Sequence, residues 1–252
     1  MSGARTLRDQ DVSHGFWCVT GNAAIVDTAA SVGPDFVVID TQHGIDLGQL
    51  DPSLFTVLAN YGVPSLVRVE SIDLGRIGRA LDLGASGIVV PLVETAADAA
   101  GAVDATRHAP HGGRSFGMQT RRFGAFDEEP FVVIQVETAG AVADIDAIAS
   151  VSGIDALYIG PADLGLGIGG VPAPDVTRVF DGTHENAGTL SDAFNAVLEA
   201  AQANGLVAGL HCGTGESSAQ AASAGFTMTA VAADVGLIGR GLKEQLARAR
   251  DL

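Results

Sequence analysis

The sequence predicts a single (β/α)8 TIM barrel over residues 1–252, and three observations support this fold. Eight short apolar runs recur along the chain, and their near-continuous hydrophobicity is typical of parallel strands covered on both faces. Alanine- and leucine-rich stretches with helical periodicity lie between them, and several end in glycine, which favours the left-handed conformation that closes a helix. Eight strand–helix units in a chain of this length match the size of such a barrel.

The predicted strands follow one another at short intervals. They are F-W-C-V (16–19), F-V-V-I-D (36–40), S-L-V-R-V (65–69), G-I-V-V-P (87–91), F-V-V-I-Q-V-E (131–137), A-L-Y-I-G (156–160), V-A-G-L-H (207–211) and T-M-T-A-V (227–231). A doubly wound open sheet is the alternative, but it ordinarily has fewer strands, and no G-x-G-x-x-G follows the first strand here. The sequence also predicts a C-terminal helix at about 234–250, which could be exchanged between subunits. The longest irregular stretches are expected at 108–130 and 161–188, and loops of this length are usually functional or mobile.

Composition and charge limit the classes of function. The chain has 14 basic and 30 acidic residues, a formal charge of −16, which opposes binding to nucleic acid or to an anionic membrane. Its two cysteines form no disulfide framework, and its first residues lack the apolar core of a signal peptide. No apolar run approaches the length of a membrane helix. We therefore expect a soluble, cytoplasmic protein.

Polar residues gather where the predicted strands end, and the active site of this barrel lies at the carboxyl ends of its strands. They are Asp40, Gln42, His43, Arg68, Gln135, Glu137, Asp163 and His211. Two carboxylates, Glu137 and Asp163, follow adjacent strands and would repel each other without a cation, a shared proton or an arginine. Hard oxygen ligands favour Mg²⁺ or Mn²⁺, and a 2-oxo acid could chelate the same ion. Taken singly, each residue also has a plain structural interpretation as a helix cap, a turn residue or an ion pair.

Several stretches together resemble a known family. They are G-F-W-C-V-T-G-N, D-F-V-V-I-D-T-Q-H-G, V-R-V, A-L-D-L-G-A-S-G-I-V-V-P-L-V, G-R-S-F-G, I-Q-V-E-T and G-I-D-A-L-Y-I-G-P-A-D-L. In this order they resemble the HpcH/HpaI aldolases, metal-dependent pyruvate aldolases that include the 4-hydroxy-2-oxoheptanedioate and 2-keto-3-deoxy sugar-acid aldolases. The likeness covers most of residues 15–170 and continues more weakly to the end of the chain.

The resemblance implies a role for individual residues. It implies that His43 is the catalytic base and that Arg68 stabilises the transition state. Glu137 and Asp163 would be the metal ligands. The implied substrate contacts are Gln135 and the backbone of Gly160, Pro161 and Ala162, and Trp17 would lie in the pocket wall. His211 replaces an apolar residue of some relatives and is expected to contact substrate or to be a wall residue. Asp82 matches an aspartate that raises the basicity of the histidine. It lies at a helix end far from the mouth of its own barrel, so it would act across a subunit contact, or else is a solvated surface carboxylate. Gln42 departs from the family, which usually has glutamate there.

The implied function is the reversible cleavage of 4-hydroxy-2-oxo acids to pyruvate, or a close 2-oxo acid, and an aldehyde. It would depend on Mg²⁺, Mn²⁺ or Co²⁺, in a homo-oligomer that is a hexamer built as a trimer of dimers. Lys243, the only lysine, lies in the predicted C-terminal helix, which argues against a Schiff base. Three alternatives remain: an oxaloacetate decarboxylase, a CoA-thioester lyase of the same superfamily, and a non-catalytic protein that binds 2-oxo acids.

Overall fold

Eight parallel strands form a closed barrel in the computed structural model, which describes residues 6–45, 50–117 and 129–250. The strands are β1 (Ser13–Cys18), β2 (Phe36–Asp40), β3 (Ser65–Arg68), β4 (Gly87–Val90), β5 (Phe131–Val136), β6 (Ala156–Ile159), β7 (Val207–His211) and β8 (Met228–Ala233). Each strand pairs with the next in sequence, and β8 pairs with β1 to close the barrel. The eight predicted strands and the barrel are therefore confirmed, and the open sheet is excluded.

Helices follow the strands around the outside of the barrel. They are α1 (Thr6–Asp9), α2 (Ala23–Val32), α3 (Pro52–Tyr61), α4 (Leu74–Asp82), α5 (Ala96–Thr106), α6 (Ala139–Ala143), α7 (Ile145–Ala149), α8 (Pro161–Gly169), α9 (Thr177–Phe180), α10 (Ala187–Ala203), α11 (Gly215–Ala224) and α12 (Asp234–Arg250). Among the described residues, no helix is both long and apolar enough to cross a membrane.

Local sequence signals set the ends of several helices. Asn22 caps α2 by accepting hydrogen bonds from backbone N–H groups of its first turn, and Thr95 and Asp98 form a capping box at α5. Gly33 and Gly62 end α2 and α3 with φ of 83° and 70°, a conformation that glycine adopts without steric cost. Because all eight strands are parallel, each loop that follows a strand lies at the same end of the barrel.

The alternation of side chains along the strands separates two apolar cores. One fills the barrel and includes Trp17, Phe36, Leu66, Val89, Phe131, Tyr158 and Met228, whereas the larger one lies between the strands and the helices. Leu7 of α1 is buried in the inner core, and Arg8 forms an ion pair with Asp155, which directly precedes β6. Helix α1 therefore closes the amino-terminal end of the barrel, and access to the interior is from the other end.

Two sequence expectations differ in their outcome. The stretch 161–188 was expected to be irregular, but α8, α9 and the start of α10 occupy much of it. This expectation was wrong because the glycine-rich α8 packs closely: a methyl group at Gly165 would lie 2.6 Å from the Val171 carbonyl oxygen. Much of the predicted loop 108–130 lies outside the described residues. The predicted C-terminal helix is confirmed at Asp234–Arg250, and its exchange between subunits stays a prediction.

Candidate active site

The site lies at the carboxyl ends of the strands, where the inward-facing positions change from apolar to polar. Below this layer the barrel is filled by apolar and aromatic side chains, so the polar side chains lie above this filling at the carboxyl ends of the strands. The predicted site residues in this layer are Trp17, Arg68, Gln135, Glu137, Gly160 and His211. The structure places these six residues at the carboxyl ends of neighbouring strands, and their roles stay predictions.

Arg68 and Asp40 form the first centre of the site, at the ends of β3 and β2. The Arg68 Nε donates to Asp40 Oδ1 at 3.0 Å, and Arg68 Nη2 donates to Asp40 Oδ2. Trp17 Nε1 donates to the same Oδ2 at 3.1 Å, and the Arg68 guanidinium lies over the Trp17 ring, 5.1 Å from its centroid. Backbone N–H groups of Gln42 and His43 donate to Oδ1. Asp40 therefore fixes both the arginine and the start of the loop that carries the predicted base.

The charge of this pair is well compensated. Burial alone would raise the pKa of Asp40, but the hydrogen bonds and charge of Arg68, with the Trp17 and His43 donors, hold it below its ordinary value. Both side chains are buried, Asp40 at 2% and Arg68 at 9% relative exposure. A bidentate pair of this kind fixes the plane of the guanidinium, so its remaining N–H groups point in a defined direction.

Glu137 is the second centre, directly after β5. Its Oε1 accepts a hydrogen bond from the Leu92 backbone N–H at 2.8 Å, and its Oε2 accepts one from Gln135 Nε2 at 2.5 Å. Burial raises the pKa of Glu137 to about 7; the Leu92 N–H and the charge of Arg68 oppose this rise, and the charge of Asp163 adds to it. A buried carboxylate beside a second one, with an arginine that is already paired to Asp40, is the arrangement that a cation would stabilise.

Gly160 and α8 complete this side of the mouth. A methyl group at Gly160 would lie 2.6 Å from Gln135 Nε2 and 2.7 Å from Glu137 Oε2, so both side chains need glycine at this position. Gly160 is also the N-cap of α8, Pro161 occupies the first turn, and no side chain caps the helix. The N–H groups of Ala162 and Asp163 are therefore free of acceptors within the helix and point toward the mouth. Asp163 itself is exposed in this first turn.

His211 and Trp17 form the wall on the other side. The His211 ring packs edge-on against Trp17, with centroids 4.8 Å apart, and Trp17 stacks on Tyr158 at 5.9 Å. Burial and the charge of Arg68 lower the pKa of His211 to about 4, although Asp40 acts in the opposite direction. The imidazole is therefore neutral at physiological pH. A neutral imidazole can both donate and accept a hydrogen bond, and contact between His211 and substrate stays a prediction.

The two remaining predicted residues lie away from this layer. The His43 side chain is exposed in the loop after β2. Asp82 ends α4, just before β4 begins, and therefore lies near the opposite end of the barrel. It accepts a hydrogen bond from Arg114 Nη2 at 2.7 Å. Within one chain the structure does not join Asp82 to His43, and the role of Asp82 stays a prediction.

Sequence reasoning missed the parts played by three residues. Asp40 was recognised at its strand end but was assigned no role, although bidentate pairing with an inward arginine is a common use of such a carboxylate. Leu92 carried no signal, because its contribution is a backbone N–H. The inward direction of Tyr158 could have been read from the alternation along β6.

Such a site, with a buried carboxylate, a fixed arginine and a helix amino terminus at the mouth of a barrel, defines a class of enzymes that bind and polarise small anionic substrates. The chain matches the family described as HpcH/HpaI aldolase/citrate lyase over residues 13–240, and it belongs to that family. The resemblance seen in the sequence is thereby confirmed.

Named relatives indicate the kind of reaction. A hydroxypyruvate/pyruvate aldolase of Rhizorhabdus wittichii is 34% identical over 94% of this chain and 93% of that protein. A 4-hydroxy-2-oxovalerate aldolase of Novosphingobium aromaticivorans is 37% identical over 71% of this chain and 72% of its own length. A crystal structure of a family member from Burkholderia cenocepacia J2315 has a TM-score of 0.84 at 29% identity and covers 98% of both chains. The protein is accordingly an aldolase, a carbon–carbon lyase.

Proposed function

We propose that this aldolase reversibly cleaves 4-hydroxy-2-oxo acids to pyruvate, or a close 2-oxo acid, and an aldehyde, with a divalent metal ion at Glu137 and Asp163. The observation that carries the proposal is Glu137, a buried carboxylate whose pKa is raised to about 7 and whose neighbour Asp163 adds negative charge. A cation would relieve both effects.

The residues present fit a hard divalent ion. Carboxylate oxygens suit Mg²⁺, Mn²⁺ or Co²⁺, and the Gln135 Oε1 is buried without a partner among the described residues. Within residues 6–45, 50–117 and 129–250, no group of three His, Cys, Asp or Glu side chains is arranged to hold a metal ion. Two protein carboxylates would therefore leave coordination positions for substrate and water. When bound, the ion would act as a Lewis acid toward the 2-oxo acid.

The protein groups would divide the remaining work. The N–H groups at the start of α8 would bind the substrate carboxylate. Arg68, held in one plane by Asp40, would donate to the 2-oxo oxygen as negative charge develops there. His43 would take the proton from the 4-hydroxyl group and return it in the reverse direction. Trp17 and His211 would exclude water from one side of the reacting carbon atoms.

We also propose a homo-oligomer, a hexamer built as a trimer of dimers, in which α12 packs on a neighbouring copy. Within α12 only Asp234 is buried. Apolar side chains on the rest of the helix are 43–59% exposed: Val235, Leu237, Ile238, Leu242 and Leu246. All of these except Leu237 lie on one side of the helix, spaced three or four residues apart, and a second copy of the chain offers the same apolar surface to cover it. In that assembly a neighbour would bring Asp82 to His43. An active monomer in light scattering would contradict both the homo-oligomer and the role of Asp82 across a subunit contact.

Product analysis tests the reaction. Purified enzyme should be incubated with pyruvate or hydroxypyruvate, a panel of aldehydes, and Mg²⁺, Mn²⁺ or Co²⁺, and the products identified by mass spectrometry. The proposal predicts 4-hydroxy-2-oxo acids from at least one pair, and their cleavage in reverse. Release of CO₂ from oxaloacetate without any aldol product would instead favour the decarboxylase.

A further inference from the structure

Leu92 has an unusual backbone for its residue type. It follows Pro91 at the end of β4 and has a φ of 55°, the only positive φ at a non-glycine position among the described residues. Side chains with a Cβ atom disfavour this left-handed region, and glycine ordinarily occupies such a position after proline in a turn. Non-glycine residues held in this region tend to occur at functional sites, where the surrounding structure maintains them.

This conformation directs a hydrogen bond into the site. The backbone pairing between β4 and β5 ends at Val90 with Ile134, so the Leu92 N–H lies beyond the ladder. It donates to Glu137 Oε1 at 2.8 Å, while Gln135 donates to Oε2. Both oxygens of this buried carboxylate are therefore oriented by protein groups from two adjacent strands.

Burial of the Leu92 side chain does not explain the conformation. The side chain is 55% exposed, whereas the next residue, Val93, is fully buried in the core between strands and helices. With this left-handed backbone, the Val93 side chain packs between the strands and the helices, outside the barrel, while the Leu92 N–H points into the site. The backbone, rather than the side chain, contributes to the site.

We propose that Leu92 is a positioning residue, whose left-handed backbone holds the Glu137 carboxylate in the orientation that binds the divalent ion. This inference rests on the proposed function, because it assigns Glu137 to the metal. Groups that orient metal ligands typically change metal affinity by about 10- to 100-fold when they are lost.

Three variants separate backbone from side chain. Leu92→Gly keeps the N–H and adopts a positive φ freely, whereas Leu92→Val places a β-branched residue where it is most disfavoured and should turn the N–H away. Leu74→Val is the matched control, because Leu74 is 47% exposed and lies in an ordinary helix. The dissociation constant for Mn²⁺ alone is measured by titration calorimetry on the chelator-treated full-length protein, with circular dichroism to verify folding.

We expect Leu92→Gly and Leu74→Val to bind Mn²⁺ within about twofold of the wild type, and folded Leu92→Val to bind at least about tenfold more weakly. The inference is wrong if Leu92→Val binds as tightly as the wild type, or if Leu92→Gly weakens binding as much as Leu92→Val. Should Leu92→Val not fold, binding at least about tenfold weaker by folded Leu92→Gly would still contradict the inference, because glycine keeps the N–H and adopts the positive φ freely. Absence of Mn²⁺ binding to the wild type would overturn the proposed metal site, and this inference with it.

Discussion

Replacing Glu137 by glutamine should stabilise the metal-free protein at pH values where the wild-type carboxylate is ionised, and not at lower pH. In the folded chain the pKa of Glu137 is raised from 4.5 to about 7, so the folded state retains a proton that the unfolded state loses. Stability of the wild type should therefore fall as the pH rises from about 4.5 to about 7, and level off above that range. The shift corresponds to roughly 3 kcal/mol when complete.

Glutamine can keep the hydrogen bonds that Glu137 makes. Its amide oxygen can accept from the Leu92 N–H, and Gln135 can rotate its own amide so that Oε1, which is buried without a partner in the described chain, accepts from the new amide. The substitution therefore removes the charge with little change in packing. Its effect should report the cost of ionising this site.

The assay is urea unfolding in chelator. We expect Glu137→Gln to have a higher free energy of unfolding than the wild type at about pH 8.5, and this difference should be roughly 2–3 kcal/mol larger than at about pH 5. Glu199→Gln, the same change at an exposed position of α10, should stay within about 0.5 kcal/mol at both pH values. An equal effect of Glu137→Gln at the two pH values, or a loss of stability at the higher one, would refute the reasoning.

Two further predictions concern the arginine. Asp40→Asn should lower the free energy of unfolding by about 3–5 kcal/mol, because it leaves the Arg68 charge buried without its counter-ion, and should reduce turnover at least about 100-fold by releasing the guanidinium. Asp155→Asn, which breaks the ion pair of the buried Asp155 with the exposed Arg8 at the opposite end of the barrel, should destabilise the protein but leave the turnover of folded enzyme unchanged. Equal turnover losses would contradict the role of Asp40. Arg68→Ala should lose about 10²–10³ in turnover and Arg68→Lys should recover only part of it, whereas Lys243→Ala should stay within a fewfold. A pyruvyl adduct on Lys243 after borohydride treatment would contradict a mechanism in which Lys243 takes no part.

The sequence was most informative where the physical signal is local. Buried parallel strands need apolar residues on both faces, so the eight runs were visible. Residues that end a strand, such as Glu137 and His211, could be placed at the carboxyl end of the barrel from their position alone. It was misleading at α8, where glycines lower helix propensity and close packing of Gly165 outweighs it. The pairing of Asp40 with Arg68, 28 residues apart, and the left-handed backbone of Leu92 depend on tertiary geometry that no local pattern encodes.

The central claim, that Glu137 and Asp163 hold the divalent ion on which the aldolase depends, is tested most directly by anomalous diffraction from crystals soaked with Mn²⁺ and pyruvate. The account predicts one manganese peak bonded to carboxylate oxygens of both residues, at about 2.0–2.3 Å, with pyruvate completing its coordination. A manganese peak elsewhere, or pyruvate bound in the mouth of the barrel with no metal between it and Glu137, would contradict it.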